Sequence, residues 1–270
     1  MKRIIKAAFV AVSVILACCM AFGLATSKPL SDAYVKEVAD NARRIWNVPA
    51  VSILVMNSET IQYSCIDGIR KADSPERVTE EDYFFIGSCS KSILACIAAK
   101  LAEEGKITWD TGFFELYPEF EAEANQAYSG ITLENLLQCQ AGIQPFTSGM
   151  EAYPEAGPSE NPQSVFFKYL LAKEPSSKKE NGRFAWLYSN ASYSLAGAML
   201  EKASGMSWEN LLDHYLGKEL GIEAFAGPPY LYNEDQPWGH YAYSPKEQKA
   251  TGRKIEMIGP ESGYGLNPMI

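Results

Sequence analysis

The sequence predicts an α+β protein, and three features carry that reading. A helix pattern and then a hairpin pattern occupy residues 31–66. A strongly apolar helix starts at Ser88, and residues 106–226 hold further helix-like segments separated by Pro- and Gly-rich loops. At 270 residues with 47% apolar side chains, the chain is long enough for one large domain or two interleaved ones.

The first 25 residues read as a signal peptide or N-terminal anchor: Lys2, Arg3 and Lys6, an apolar run from Ala7 to Ala25, then polar sequence from Thr26. Gly23 and Ala25 suit the small positions of a cleavage site, and Ile15-Leu16-Ala17-Cys18 resembles a lipoprotein box. The run is close to the ~20 residues that span a bilayer, so cleavage, lipidation at Cys18 and a retained anchor all stay open. The expected location is therefore export: periplasmic, extracellular, or anchored at the cell envelope. No later segment is apolar enough to cross a membrane.

The remainder, 31–270, divides into an α/β part over 31–105, a helical part over 106–226 and a return segment over 227–270. Ser31 can cap a helix running to about Trp46, with Ala33, Val35, Val38, Ala42 and Ile45 as its apolar stripe. The hairpin pairs Val51–Met56 with Thr60–Ile66 across a turn at Asn57-Ser58, and Asp67-Gly68 closes it. Ile93, Leu94, Ile97, Ala98 and Leu101 make the next helix apolar on most faces, which predicts a buried central helix ending at Gly105. Leu133–Cys139, Gln163–Leu171, Ala191–Ala203 and Ser207–Leu220 are the later helical segments. Beyond Gly227 no periodicity is evident.

Composition excludes some functions. The formal net charge is −9. Removing Lys2, Arg3 and Lys6 leaves 21 basic against 33 acidic side chains, or −12, a surface that repels phosphate backbones, so nucleic acid is not an expected partner. The two histidines, His214 and His240, have no metal-ligand spacing around them, which argues against a zinc hydrolase. Cys65, Cys89, Cys96 and Cys139 follow the export segment. On one helix Cys89 and Cys96 would lie ~10 Å apart, too far for a bridge, and the four are expected as small buried hydrophobes.

Ser88 and Lys91 are the candidate nucleophile and its activator. Positions i and i+3 differ by about 60° around a helix axis, so the Lys91 amine can reach the Ser88 hydroxyl. Burial lowers a lysine pKa and would leave the amine able to accept the serine proton. A helix N-terminus adds backbone N–H groups and a positive dipole end for a developing oxyanion. A second Ser-x-x-Lys, Ser176-Ser177-Lys178-Lys179, sits in polar sequence and reads as a solvated turn. Tyr188-Ser189-Asn190 precedes a helix: Tyr188 could relay a proton and Asn190 could hold a substrate carbonyl. The bland alternative is a tyrosine packed under a helix start with Asn190 as its cap.

Phe85-Ile86-Gly87-Ser88-Cys89-Ser90-Lys91 resembles the active-site helix start of class C β-lactamases and related DD-peptidases and esterases. Tyr188-Ser189-Asn190 resembles the second motif of that family, led by Phe184-Ala185-Trp186-Leu187. Leu136-Leu137-Gln138-Cys139-Gln140-Ala141-Gly142-Ile143 is similar to the family's Leu-Leu-Thr-His-Thr-Ser-Gly-Leu stretch, with Cys139 where histidine is common. The resemblance covers Ser31 to Leu220. It implies a β-lactamase/transpeptidase-like α+β fold, with an antiparallel sheet flanked by helices and an inserted helical domain. It implies a serine enzyme that forms an acyl intermediate on an amide, β-lactam or ester carbonyl, without a cofactor, its substrate a small molecule or a peptidoglycan peptide. Ser88 would attack, Lys91 and Tyr188 would shuttle protons as a coupled pair, and Asn190 would position the substrate.

The family's third motif, Lys-Thr-Gly or His-x-Gly on a strand, has no counterpart. The nearest string, Lys249-Ala250-Thr251-Gly252, is split by an alanine and reads as a surface turn. A two-stranded hairpin is marginal by itself, so the strands that complete the sheet are expected to be missing and the chain to be truncated. That departure keeps a second expectation beside the hydrolase: a non-catalytic envelope-binding protein or inactive homologue.

Overall fold

The computed structural model describes residues 30–147 and 151–259; the export segment and Cys18 lie outside them. In chain order the elements are α1 (Asp32–Trp46), β1 (Ala50–Met56), β2 (Ile61–Gly68), α2 (Ser90–Glu103), α3 (Phe113–Leu116), α4 (Leu133–Leu137) and α5 (Pro162–Leu171). They continue with β3 (Lys179–Glu180), β4 (Arg183–Phe184), α6 (Asn190–Ser204), α7 (Trp208–Leu212), α8 (Pro229–Tyr232), β5 (Gly239–Ala242), α9 (Pro245–Thr251) and β6 (Ile255–Ile258). Among the described residues these form two compact units, one of 30–84 with 229–259 and one of 85–147 with 151–228.

In the first unit Ser31 caps α1 as expected, its Oγ accepting the Tyr34 N–H at 3.2 Å, and Asn47 ends the helix in the left-handed region at φ 52°. The helix lays Val35 and Ala39 against the hairpin. Strands β1 and β2 run antiparallel from Ala50↔Gly68 to Val55↔Tyr63. Asn57 Oδ1 accepts the N–H groups of Glu59 and Thr60 at 2.9 and 2.8 Å, which shapes the turn. Gly68 has φ 123°, and a Cβ there would lie 2.1 Å from the Pro49 carbonyl oxygen, so only glycine fits the close of the hairpin.

The segment after Gly227, which shows no periodicity in sequence, carries a further antiparallel pair. Gly239 pairs with Ile258 and Ala242 with Ile255. Four-residue strands separated by a helix give too few alternations to be legible. Between them Ser244 and Glu247 form a capping box on α9. Lys249-Ala250-Thr251-Gly252 is the exposed end of that helix, with Gly252 as its left-handed cap at φ 72°, and lies on no strand. His240 Nε2 accepts the Ala72 N–H at 3.0 Å, which ties this hairpin to the loop after β2.

The second unit holds the large core. Ile97, Leu101, Leu133, Leu136, Phe166, Phe167, Leu170, Leu195 and Met199 are fully buried and packed together; burying each such side chain contributes ~1.5–3 kcal/mol. Helix α2, grouped with the α/β part by sequence, belongs here because Ile97, Ala98 and Leu101 insert into this core. The 207–220 segment starts as α7 and continues as a π-helical stretch over Asp213–Lys218. No helix among the described residues is long and apolar enough to cross a membrane.

Candidate active site

Ser88 lies in a 3₁₀ turn, Gly87–Cys89, that leads into α2, and it is exposed. The regular helix therefore starts two residues later than the sequence predicts. The Cys89 N–H is not open for an oxyanion, since it donates to the Ile86 carbonyl at 3.1 Å. Lys91 is in the first turn of α2 and half-buried. Its Nζ donates to Ser88 Oγ at 3.2 Å and to Asn190 Oδ1 at 2.7 Å. Burial of α2 on most faces is not found: Cys89, Ser92 and Cys96 are exposed along one side, while Ile97, Ala98 and Leu101 are covered. Packing on one side suffices for the helix, and its apolar composition overstated its burial.

The tyrosine motif lies between β4 and α6. Ser189 is the cap of α6: its Oγ accepts the Ser192 N–H at 2.9 Å and donates to the Gln144 carbonyl at 2.6 Å. The reading of Asn190 as a cap is thereby corrected, because Asn190 is the first helical residue and its amide points elsewhere. Its Nδ2 donates to the Phe146 carbonyl at 2.8 Å while its Oδ1 receives Lys91. The amide is thus a fixed bridge between Lys91 and the 138–147 loop.

That loop is the Leu136–Ile143 segment and its continuation. The Cys139 carbonyl accepts the Leu187 N–H at 3.0 Å, and the Gln140 carbonyl accepts the Phe184 N–H at 3.3 Å. Cys139 is buried with φ 54°, its thiol 3.9 Å from the Ser189 carbonyl. Ser192 Oγ donates to the Leu136 carbonyl at 2.9 Å. The segment is a buttress that sets the height of Tyr188 and Asn190. The second Ser-x-x-Lys also serves the loop, through Ser176 Oγ, which lies 3.0 Å from the Gly142 carbonyl and 2.9 Å from that of Ile143.

Tyr188 closes the constellation. The Lys91 ammonium lies over its ring, 5.0 Å from the centroid. Burial pushes the phenol pKa up from its ordinary 10.0, but hydrogen bonds with Ser88 and Lys91 and the Lys91 charge outweigh it, and the net direction is down. The structure so brings Ser88, Lys91, Tyr188 and Asn190 together. It adds Tyr193, which sequence reasoning missed: its ring lies under Lys91 at 5.3 Å and its hydroxyl donates to the Leu137 carbonyl at 2.8 Å. Its position three residues after Asn190 on an expected helix was the available signal. The carbonyl of Phe146 carried no signal, since a backbone acceptor has no sequence signature.

The cysteines Cys65, Cys89, Cys96 and Cys139 are all free thiols, and only Cys139 is buried, which corrects the expectation for the others. Among the described residues no group of three or more His, Cys, Asp or Glu could hold a metal ion.

Within the second unit a helical core thus carries a serine–lysine pair held beside a tyrosine and an asparagine. Residues 38–260 match the family described as Beta-lactamase, and the chain belongs to that family. It is similar to an unguisins hydrolase from Aspergillus violaceofuscus, 25% identical over 203 residues, 73% of this chain and 34% of that protein. Among solved structures it shares its fold with a class C β-lactamase at TM-score 0.61 and 22% identity, over 79% of this chain and 57% of that one. It shares it also with a D-alanine carboxypeptidase from Burkholderia cenocepacia at TM-score 0.58 and 20% identity, over 75% and 52%. The chain thus spans about a third to somewhat over half the length of these relatives.

Proposed function

We propose that the protein is an exported serine hydrolase that forms an acyl-enzyme on an amide, β-lactam or ester carbonyl. The observation that carries this reading is the Lys91 Nζ at 3.2 Å from Ser88 Oγ, fixed from its far side by Asn190 at 2.7 Å. Ser88 Oγ attacks the carbonyl carbon as its proton passes to the coupled Lys91–Tyr188 pair. The same pair returns the proton to the leaving nitrogen or oxygen, and water then releases the acyl group. Within the pair the lowered phenol pKa of Tyr188 favours it as proton acceptor, with Lys91 as the cation that stabilises the phenolate. Asn190, with its oxygen committed to Lys91, holds the lysine first and has one amide hydrogen to offer a substrate carbonyl. Small molecules and peptidoglycan peptides are the substrate classes, nucleic acid is no partner, and the basic-then-apolar N-terminus supports export with or without an anchor at the envelope.

One experiment tests both parts. Cells producing the protein are fractionated and exposed to a fluorescent penicillin, with Ser88→Ala as control and a chromogenic ester assayed in parallel. The expected result is Ser88-dependent labelling or ester hydrolysis in the envelope or exported fraction. Neither signal, or activity confined to the cytoplasm, overturns the corresponding part.

A second reading, a non-catalytic envelope-binding protein, is favoured by one observation. The nearest Lys-Thr-Gly-like string, Lys249-Ala250-Thr251-Gly252, is the exposed end of α9 and lies on no strand. Ser88-dependent turnover by the folded protein removes that reading.

A further inference from the structure

We propose that Tyr193 is a positioning residue for Lys91, its ring face holding the ammonium within reach of Ser88; this rests on the hydrolase reading above. A lysine head on four flexible carbons loses considerable rotamer entropy when fixed, and two hydrogen-bond acceptors leave it free to pivot about them. Here two aromatic faces limit the pivot, Tyr188 at 5.0 Å and Tyr193 at 5.3 Å from the Nζ. A ring face attracts a cation, more strongly when both are partly desolvated. Tyr193 cannot swing away. Its hydroxyl is tied to the carbonyl of Leu137 at 2.8 Å, at the end of α4, whose Leu133 and Leu136 are fully buried.

Helix α6 sets this geometry through one register. Asn190 and Tyr193, three residues apart, lie on the same face and meet the same ammonium, one by its amide oxygen and the other by its ring. The Tyr193 hydroxyl does not act as an acid or base, since it is engaged with Leu137 and burial, then the neighbouring Cys139 and Tyr188, hold its pKa above the ordinary value. Tyr193 meets the Leu137 carbonyl through its hydroxyl and Lys91 through its ring, so its part is to place Lys91 and not to react.

The test separates ring from hydroxyl. The Lys91 ε-methylene protons, assigned with Lys91→Arg, should resonate upfield of a free lysine because they sit over aromatic faces. Tyr193→Leu should move that signal towards the free position and lower Ser88-dependent kcat ~10-fold, the loss expected of one cation–π contact. Tyr193→Phe keeps the ring but loses its tie to Leu137, so it should retain most of the shift and of kcat, well above the Leu variant, while melting at a lower temperature. A Lys91 signal unshifted in the unmodified protein overturns the proposal even if Tyr193→Leu does not fold. So does a Phe variant that behaves like the Leu variant. If no Ser88-dependent activity exists, the hydrolase reading fails, and the change in the Lys91 resonance on Tyr193→Leu still decides whether Tyr193 holds the lysine.

Discussion

At Lys91 four side chains meet one ammonium, and the consequence is a pH dependence that belongs to its neighbour. The Tyr188 phenol is held below its ordinary 10.0 against burial, which pushes it up, by hydrogen bonds with Ser88 and Lys91 and by the Lys91 charge. If Tyr188 accepts the Ser88 proton, kcat/KM rises with pH as the phenol ionises, and that limb lies below 10.0. Lys91→Ala removes two of the lowering influences, so the limb should move to higher pH in whatever activity persists. Tyr188→Phe should lose ~10²–10⁴-fold in kcat/KM. A limb unmoved by Lys91→Ala would show that Tyr188 is not the titrating group. Ser88, Lys91, Tyr188 and Asn190 were legible in sequence, because short motifs place reactive side chains at spacings that a helix start converts into proximity. Tyr193 and the Phe146 carbonyl were not. A ring under a cation depends on how α6 lies against α2, and a backbone acceptor on the path of a loop.

Among the elements, the 138–147 loop has the strictest demands. Gly142 has φ 71°, and a Cβ there would lie 2.8 Å from Phe184 Cδ1, in a ring buried at the end of β4. Gly142→Ala therefore combines an unfavourable backbone region with overpacking and should cost ~1–3 kcal/mol, read as a lower urea midpoint at unchanged slope. Because Phe184 leads into Tyr188, Ser88-dependent activity should fall with it. A variant as stable as the parent would mean that the ring yields without effect. Helix α1 was readable from its cap and periodicity, since Ser31 accepts an N–H in its first turn, whereas Ser189 caps α6 where sequence offered Asn190. Sequence read β5 and β6 as aperiodic, and the extra burial it assigned to α2 came from composition alone.

On the scale of the whole chain, the two units are unequal. The second has the contiguous core from Ile97 to Leu216, whereas the first buries few apolar side chains, among them Val35, Ala39, Val78 and Tyr230. Little buried area and two-stranded sheets leave the first unit near the low end of local stability. Its amides in β1, β2, β5 and β6 should exchange with solvent before those of α2 and α6. Slower exchange in the first unit would contradict this.

Asp67 makes that difference depend on pH. Burial pushes its carboxyl up, but hydrogen bonding and charge from Arg43, with help from Lys36 and Arg77, hold it below 3.8. A carboxylate lowered in the folded state stabilises above its unfolded pKa, and the stabilisation is lost as pH falls through the lowered value. Acid should open the first unit first, and Asp67→Asn should flatten that dependence.

Helix starts, turn chemistry and the placement of a nucleophile beside its lysine are local matters, set by residues within a few positions of one another, and the amino-acid order was enough to specify them. Long-range packing made the other decisions. It chose which side of α2 is covered, turned Asn190 towards Lys91, and set Tyr193 beneath it. Each of those depends on contacts between residues far apart in the chain, whose energies no local pattern encodes.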